Sequence, residues 1–155
     1  MVINNIAGES KKPPKDQLQA LVKLFTQREF ENALALGNEL ERKFSGSPEL
    51  QNILGAINAE IGKFDRAIGC YQKAVRIRPD YAEAYNNMGV ALKATDQIIL
   101  AVESYEKAIV AKPEYAGAYN NLGNINKELK NTKEAINFFK QAIKIDPNYI
   151  NAAYN

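Results

Sequence analysis

The sequence of 155 residues has no histidine, no tryptophan and only one cysteine. Without imidazole the chain lacks the commonest general base, the commonest metal ligand and the central member of most serine or cysteine triads. Neither catalysis nor a bound metal or cofactor is therefore expected. Cys70 has no partner for an internal disulfide, which suits a reducing compartment, and a structural thiol is the reading for it because no cation neighbours it in sequence to activate it. No window approaches a membrane span, and the opening MVINNIAGESKKPP lacks the apolar run of a signal peptide. Its glycine also lacks the GxxxxGK spacing of a phosphate loop. Charge of one sign is missing too: 20 Lys and Arg face 18 Asp and Glu, a net +2 spread along the chain, so neither nucleic acid nor an anionic membrane is implied as a partner. Glu103, Glu106 and Glu134 alternate with Lys107 and Lys133 and read as solvated helix faces, not as an acid–base pair. A soluble, cytoplasmic, non-enzymatic protein is the expectation.

What the chain does have is a period. The stretch YAEAYNNMG, Tyr81 to Gly89, returns 34 residues later as YAGAYNNLG, Tyr115 to Gly123. The same step links Gly55, Gly89 and Gly123; Ala67, Ala101 and Ala135; Tyr71, Tyr105 and Phe139; Ala74, Ala108 and Ala142; and Pro79, Pro113 and Pro147. A repeat of this length signals stacked units that bury their apolar faces against their neighbours. The units lie at 14–47, 48–81, 82–115 and 116–149, after a leader at 1–13 rich in Gly, Ser, Lys and Pro and before the start of a truncated fifth unit at 150–155. Each mark has a task in a helix–turn–helix unit. The small residues let two backbones approach, the aromatic fills the wedge between them, and proline ends the second helix. Links such as Ile61–Lys63 and Lys130–Thr132 are expected to join the two helices.

This pattern resembles the tetratricopeptide repeat, and the resemblance covers residues 14–149. It implies an all-α fold, a right-handed superhelical solenoid of antiparallel helix hairpins. The marks match in units two to four. Unit one departs: Leu21 stands where the glycine is expected, Gly37 where the aromatic belongs and Ser45 where the proline should be. Unit three departs at its turn, where Asp96 replaces glycine, and in the apolar run Ile98, Ile99 and Leu100, a surface suited to meeting another chain.

In this family the first helix of each unit lines a concave groove that holds a partner's peptide or helix. Carried onto this sequence, helical spacing brings Glu83, Asn86, Asn87, Val90 and Lys93 to the groove in unit three, and Gly117, Asn120, Asn121, Asn124 and Lys127 in unit four. Asn52, Ala56 and Ala59 are their counterparts in unit two. Asparagine is a mediocre helix former, yet its amide donates and accepts at once, so a ladder of amides can hold a peptide backbone. Asn87 and Asn121 match ladder positions of the related O-GlcNAc transferase superhelix, and Asn86 and Asn87 have no packing task that the repeat requires. In unit two Ile53 interrupts the ladder. The alternative is that the asparagines bond to neighbouring repeats. Leu18, Val22 and Phe25 form an apolar stripe facing the groove in unit one, with Leu21 and Leu24 left to the core. Of the cationic clamp that grips a chaperone's carboxylate tail, only Lys15 is present, which speaks against that partner. Three functions follow: a scaffold binding a protein or peptide partner, the recognition arm of a larger enzyme such as a sulfotransferase or glycosyltransferase, or a homo-oligomer assembled through the uncapped C-terminal end or the Ile98 region.

Overall fold

Proline and turn geometry divide the chain into short helices of nearly equal length. The computed structural model describes residues 12–149. It contains α1 Lys15–Thr26, α2 Phe30–Lys43, α3 Pro48–Glu60, α4 Phe64–Ile77, α5 Ala82–Ala94, α6 Ile98–Ala111, α7 Ala116–Glu128 and α8 Thr132–Ile145, then one 3-10 turn at Pro147–Tyr149. No strand occurs among the described residues. Most of the expected leader, residues 1–11, and the expected start of a fifth unit at 150–155 fall outside them.

The second helices α4, α6 and α8 each stop two residues before Pro79, Pro113 and Pro147, with Arg78, Lys112 and Asp146 already extended. That is the conformation a following proline imposes. Within each hairpin the turn has a left-handed residue at one repeat position: Arg28, Gly62, Asp96 and Lys130, with φ of 61°, 75°, 61° and 62°. The next amide reaches back across the turn, Glu29 to the Leu24 carbonyl at 2.9 Å, Lys63 to Asn58 at 2.8 Å, Gln97 to Leu92 at 2.9 Å and Asn131 to Asn126 at 2.8 Å. This closes orphan carbonyls at the helix end. Three of the four hairpins make that turn without glycine. Thr132, expected in the last link, instead opens α8.

Consecutive helices pair as antiparallel hairpins, and the hairpins stack into an all-α solenoid. First helices also touch first helices, α1 with α3, α3 with α5 and α5 with α7, whereas second helices have no comparable contact with one another. The first helices therefore lie on the shorter, concave side and the second helices on the convex side.

Size complementarity holds the hairpins together. A Cβ added to Gly55 would stand 2.4 Å from the Tyr71 ring, one on Gly89 2.6 Å from Tyr105, and one on Gly123 2.5 Å from Phe139. No real Cβ tolerates such contacts, so the aromatic ring lies directly on the glycine backbone. Hairpin 1 inverts the arrangement. Leu21 on the first helix is fully buried, and Gly37 on the second leaves room for Leu54 of the next hairpin, whose Cδ2 would be 2.5 Å from an added Cβ. The buried side chains fall into two clusters. One runs from Leu21 to Ile57 across hairpins 1 and 2; the other joins Ala67 and Tyr71 to Leu122 and Ile125.

Candidate functional site: the concave face and its amide bridges

The concave face is built by α3, α5 and α7, and its polar side chains are tied across hairpins. Asn87 Nδ2 donates to Asn52 Oδ1 at 3.2 Å, and Asn121 Nδ2 donates to Asn86 Oδ1 at 2.9 Å. Asn52 Nδ2 in turn donates to the Tyr81 hydroxyl at 3.3 Å. The two amide bridges are equivalent, displaced by one repeat. The expectation that Asn86 and Asn87 lack a packing task is corrected here: Asn86 is buried and both amides join adjacent hairpins. The reason is geometric. Stacking brings a first-helix position of one hairpin beside the next position along the following first helix, and an amide pair satisfies both partners there. Asn52 belongs to the ladder although Ile53 occupies the repeat position of Asn87, because the acceptor lies one residue earlier in the preceding first helix.

The bridges divide the asparagines by role. Asn52 and Asn86 are acceptors within the stack; Asn87 and Asn121 are half-buried donors. Among the described residues no donor reaches the remaining Oδ1 of Asn87 or Asn121. Asn120 and Asn124 are half-buried and make no side-chain hydrogen bond within the described residues. On α5, Val90 is 48% exposed. Lys93 is ion-paired with Glu128 of α7 at 2.6 Å, so its charge is matched across the hairpin boundary, whereas Lys127 is exposed without an ion pair among the described residues.

Of the apolar stripe expected in hairpin 1, Val22 is exposed and Leu18 and Phe25 are half-buried. Leu18 and Phe25 pack against the first core cluster, and the Phe25 ring meets Phe30 at 6.2 Å, leaving Val22 exposed. Helical spacing gives the face the three residues share but not that Leu18 and Phe25 also pack against the core, Phe25 with its ring against Phe30 of α2. Beyond the groove, charge couples hairpins 1 and 2. Glu41 of α2 accepts from Lys73 of α4 at 2.9 Å and from Gln51 Nε2 of α3 at 3.0 Å. The hydrogen bond from Lys73 holds the Glu41 carboxyl below its ordinary range. Within hairpin 2, burial pushes the Glu49 carboxyl upward, but the hydrogen bond from Arg78 at the end of α4 and the hydrogen bonds at the start of α3 outweigh it and hold it low. Arg78 also lies over the Tyr81 ring at 4.6 Å. Cys70 is half-buried beside the first cluster, and burial pushes its thiol up, away from the nucleophilic thiolate. Among the described residues no group of three Cys, Asp or Glu side chains could hold a metal ion, and no helix is long and apolar enough to cross a membrane.

Models of the tetratricopeptide repeat match residues 82–115 and 116–149, and a further repeat model of the same family matches residues 55–96. Solved structures of the same fold include a crystal structure of MamA, 26% identical, with a TM-score of 0.78 over 85% of this chain and 77% of that one. MamA 41-end from Desulfovibrio magneticus RS-1 is 25% identical, with a TM-score of 0.75 over 89% and 78%. No curated protein matches the chain in sequence.

Proposed function

Because the chain belongs to the tetratricopeptide-repeat family, a family of protein-interaction scaffolds, we propose that it binds an extended segment of a partner protein on its concave face and carries out no chemistry itself. The observation that supports this reading is the pair of open amide oxygens on Asn87 and Asn121, set one repeat apart and held in orientation by the bridges to Asn52 and Asn86. A carbonyl oxygen fixed in this way accepts from a peptide N–H with little further loss of side-chain freedom. Asn120, Asn124 and Lys127 extend the polar face in α7, and Val90 gives it an apolar contact in α5. Contacts to main-chain amides favour an extended peptide and place few demands on its sequence.

The test is to select a binder from a displayed library of random peptides with the full chain, then measure it against Asn87→Ala, Asn121→Ala and the double variant. Each single change is expected to weaken binding about three- to tenfold, the range of one hydrogen bond. Circular dichroism should show intact helices. Undiminished affinity of the double variant removes the groove reading.

A further inference from the structure

The convex side carries a feature that the repeat does not require. On α6, Ile99 is 78% exposed, Val110 82% and Leu100 46%. At the equivalent positions α4 has Asp65, Arg76 and Arg66, and α8 has Lys133, Lys144 and Glu134. Three charged positions in the hairpins on both sides have thus become apolar in this helix alone. Leu100, Glu103, Lys107 and Val110 follow a spacing of three, four and three residues, which aligns them as a single seam along the helix. Glu103 and Lys107 are exposed and make no ion pair among the described residues.

The order of the seam is self-complementary. A two-fold axis passing beside Tyr105 places residue 100 opposite 110 and residue 103 opposite 107. Two copies of α6 laid antiparallel therefore match apolar with apolar at both ends and acid with base on both sides of the axis, as an isologous interface demands. Neither flanking second helix offers this. The corresponding seam of α4 is Arg66, Gly69, Lys73 and Arg76, which would set cation against cation, and that of α8 is Glu134, Asn137, Gln141 and Lys144, which has no apolar member. Beside the seam, Leu100, Glu103 and Lys107 wall a cleft of about 550 Å³ over Tyr85, Met88 and Leu92, space into which an approaching helix can settle.

We propose that α6 is a self-association surface, occupied by α6 of a second copy of this chain in antiparallel orientation, with Glu103 of each copy paired to Lys107 of the other. This makes specific the self-assembly expected near Ile98, and it is separate from the concave groove. One helix pair buries less than a standard interface, so a dimer with a dissociation constant on the order of 100 µM is expected, weakening as salt rises.

Sedimentation equilibrium of the full chain from roughly 10 µM to 1 mM spans that range. Wild type should dimerise. Glu103→Lys opposes lysine to lysine and Lys107→Glu opposes glutamate to glutamate, so each alone should associate at least tenfold more weakly. An equimolar mixture of the two variants should associate again, because each then supplies the charge the other lacks. Val110→Asp should abolish association. A wild type that stays monomeric overturns the proposal. So does a dimer indifferent to these substitutions, which would lie on another face, or a mixture no stronger than its components. Peptide binding in the groove, measured on the same variants, should not change, so the two readings fail separately.

Discussion

Hairpin 1 and the three hairpins that follow solve one packing problem in opposite ways. In hairpins 2, 3 and 4 the first helix supplies a glycine and the second an aromatic ring that lies on it. In hairpin 1 the first helix supplies Leu21, the second supplies Gly37, and the missing volume arrives from Leu54 of the next hairpin. A repeat thus conserves volume at an interface rather than a residue at a position. Hairpin 1 closes only with hairpin 2 in place, because part of its filling is borrowed; hairpins 2, 3 and 4 bring their own ring.

The comparison can be broken most forcefully at Leu21. Leu21→Ala should cost about 2–5 kcal/mol, as for other fully buried leucines, and the loss should appear first in hydrogen exchange of α1 and α2. Gly89→Ala tests the other arrangement: the added methyl meets the Tyr105 ring, and overpacking of about 1–3 kcal/mol should lower the denaturation midpoint. Pairing that change with Tyr105→Leu should recover part of the loss, whereas Gly37→Ala should not be relieved by any change within hairpin 1, since Leu54 lies in hairpin 2. At the turns the four hairpins share a left-handed residue but only one uses glycine. Asp96→Gly should therefore stabilise by about 0.5–1 kcal/mol, and Gly62→Ala should destabilise by a similar amount. The smallest effect concerns the seam between hairpins 1 and 2. Glu41, which accepts from Lys73 and Gln51 of hairpin 2, titrates below the ordinary 4.5 in the folded chain, so its contribution is fully present above that value and is lost as pH falls through the lower folded value. Protection of the amides at the α2–α3 junction, relative to their intrinsic exchange at each pH, should fall as pH drops below about 4.5, before that of the α5–α6 core.

The architecture could be read from the chain because its marks act locally. Proline stops a helix wherever it falls, and glycine facing an aromatic at a fixed offset reports contact between two helices of one hairpin. Hence the helix pairs and the resemblance were legible at Gly55, Gly89 and Gly123. The concave face was harder, since its chemistry depends on offsets between hairpins. Asn87 bonds to a residue 35 positions earlier, one more than the repeat, and aligning identical positions conceals that partner. Leu18 and Phe25 show the same difficulty: periodicity gives the face they share but not their packing against the first core cluster. On α6 the apolar run was visible, while its matched order of acid, base and apolar ends became meaningful once Val110 proved as exposed as Ile99.

The position of the amide bridges has a mechanical consequence. They lie on the inner radius of the solenoid, where straightening separates neighbouring hairpins most and bending brings them together. Each bridge thus acts as a short tether that resists extension while leaving the convex side compliant. Pulled from its two ends, the array should stretch by parting the Asn121–Asn86 and Asn87–Asn52 contacts before any helix unwinds, and a peptide laid along those amides would stiffen it like a splint.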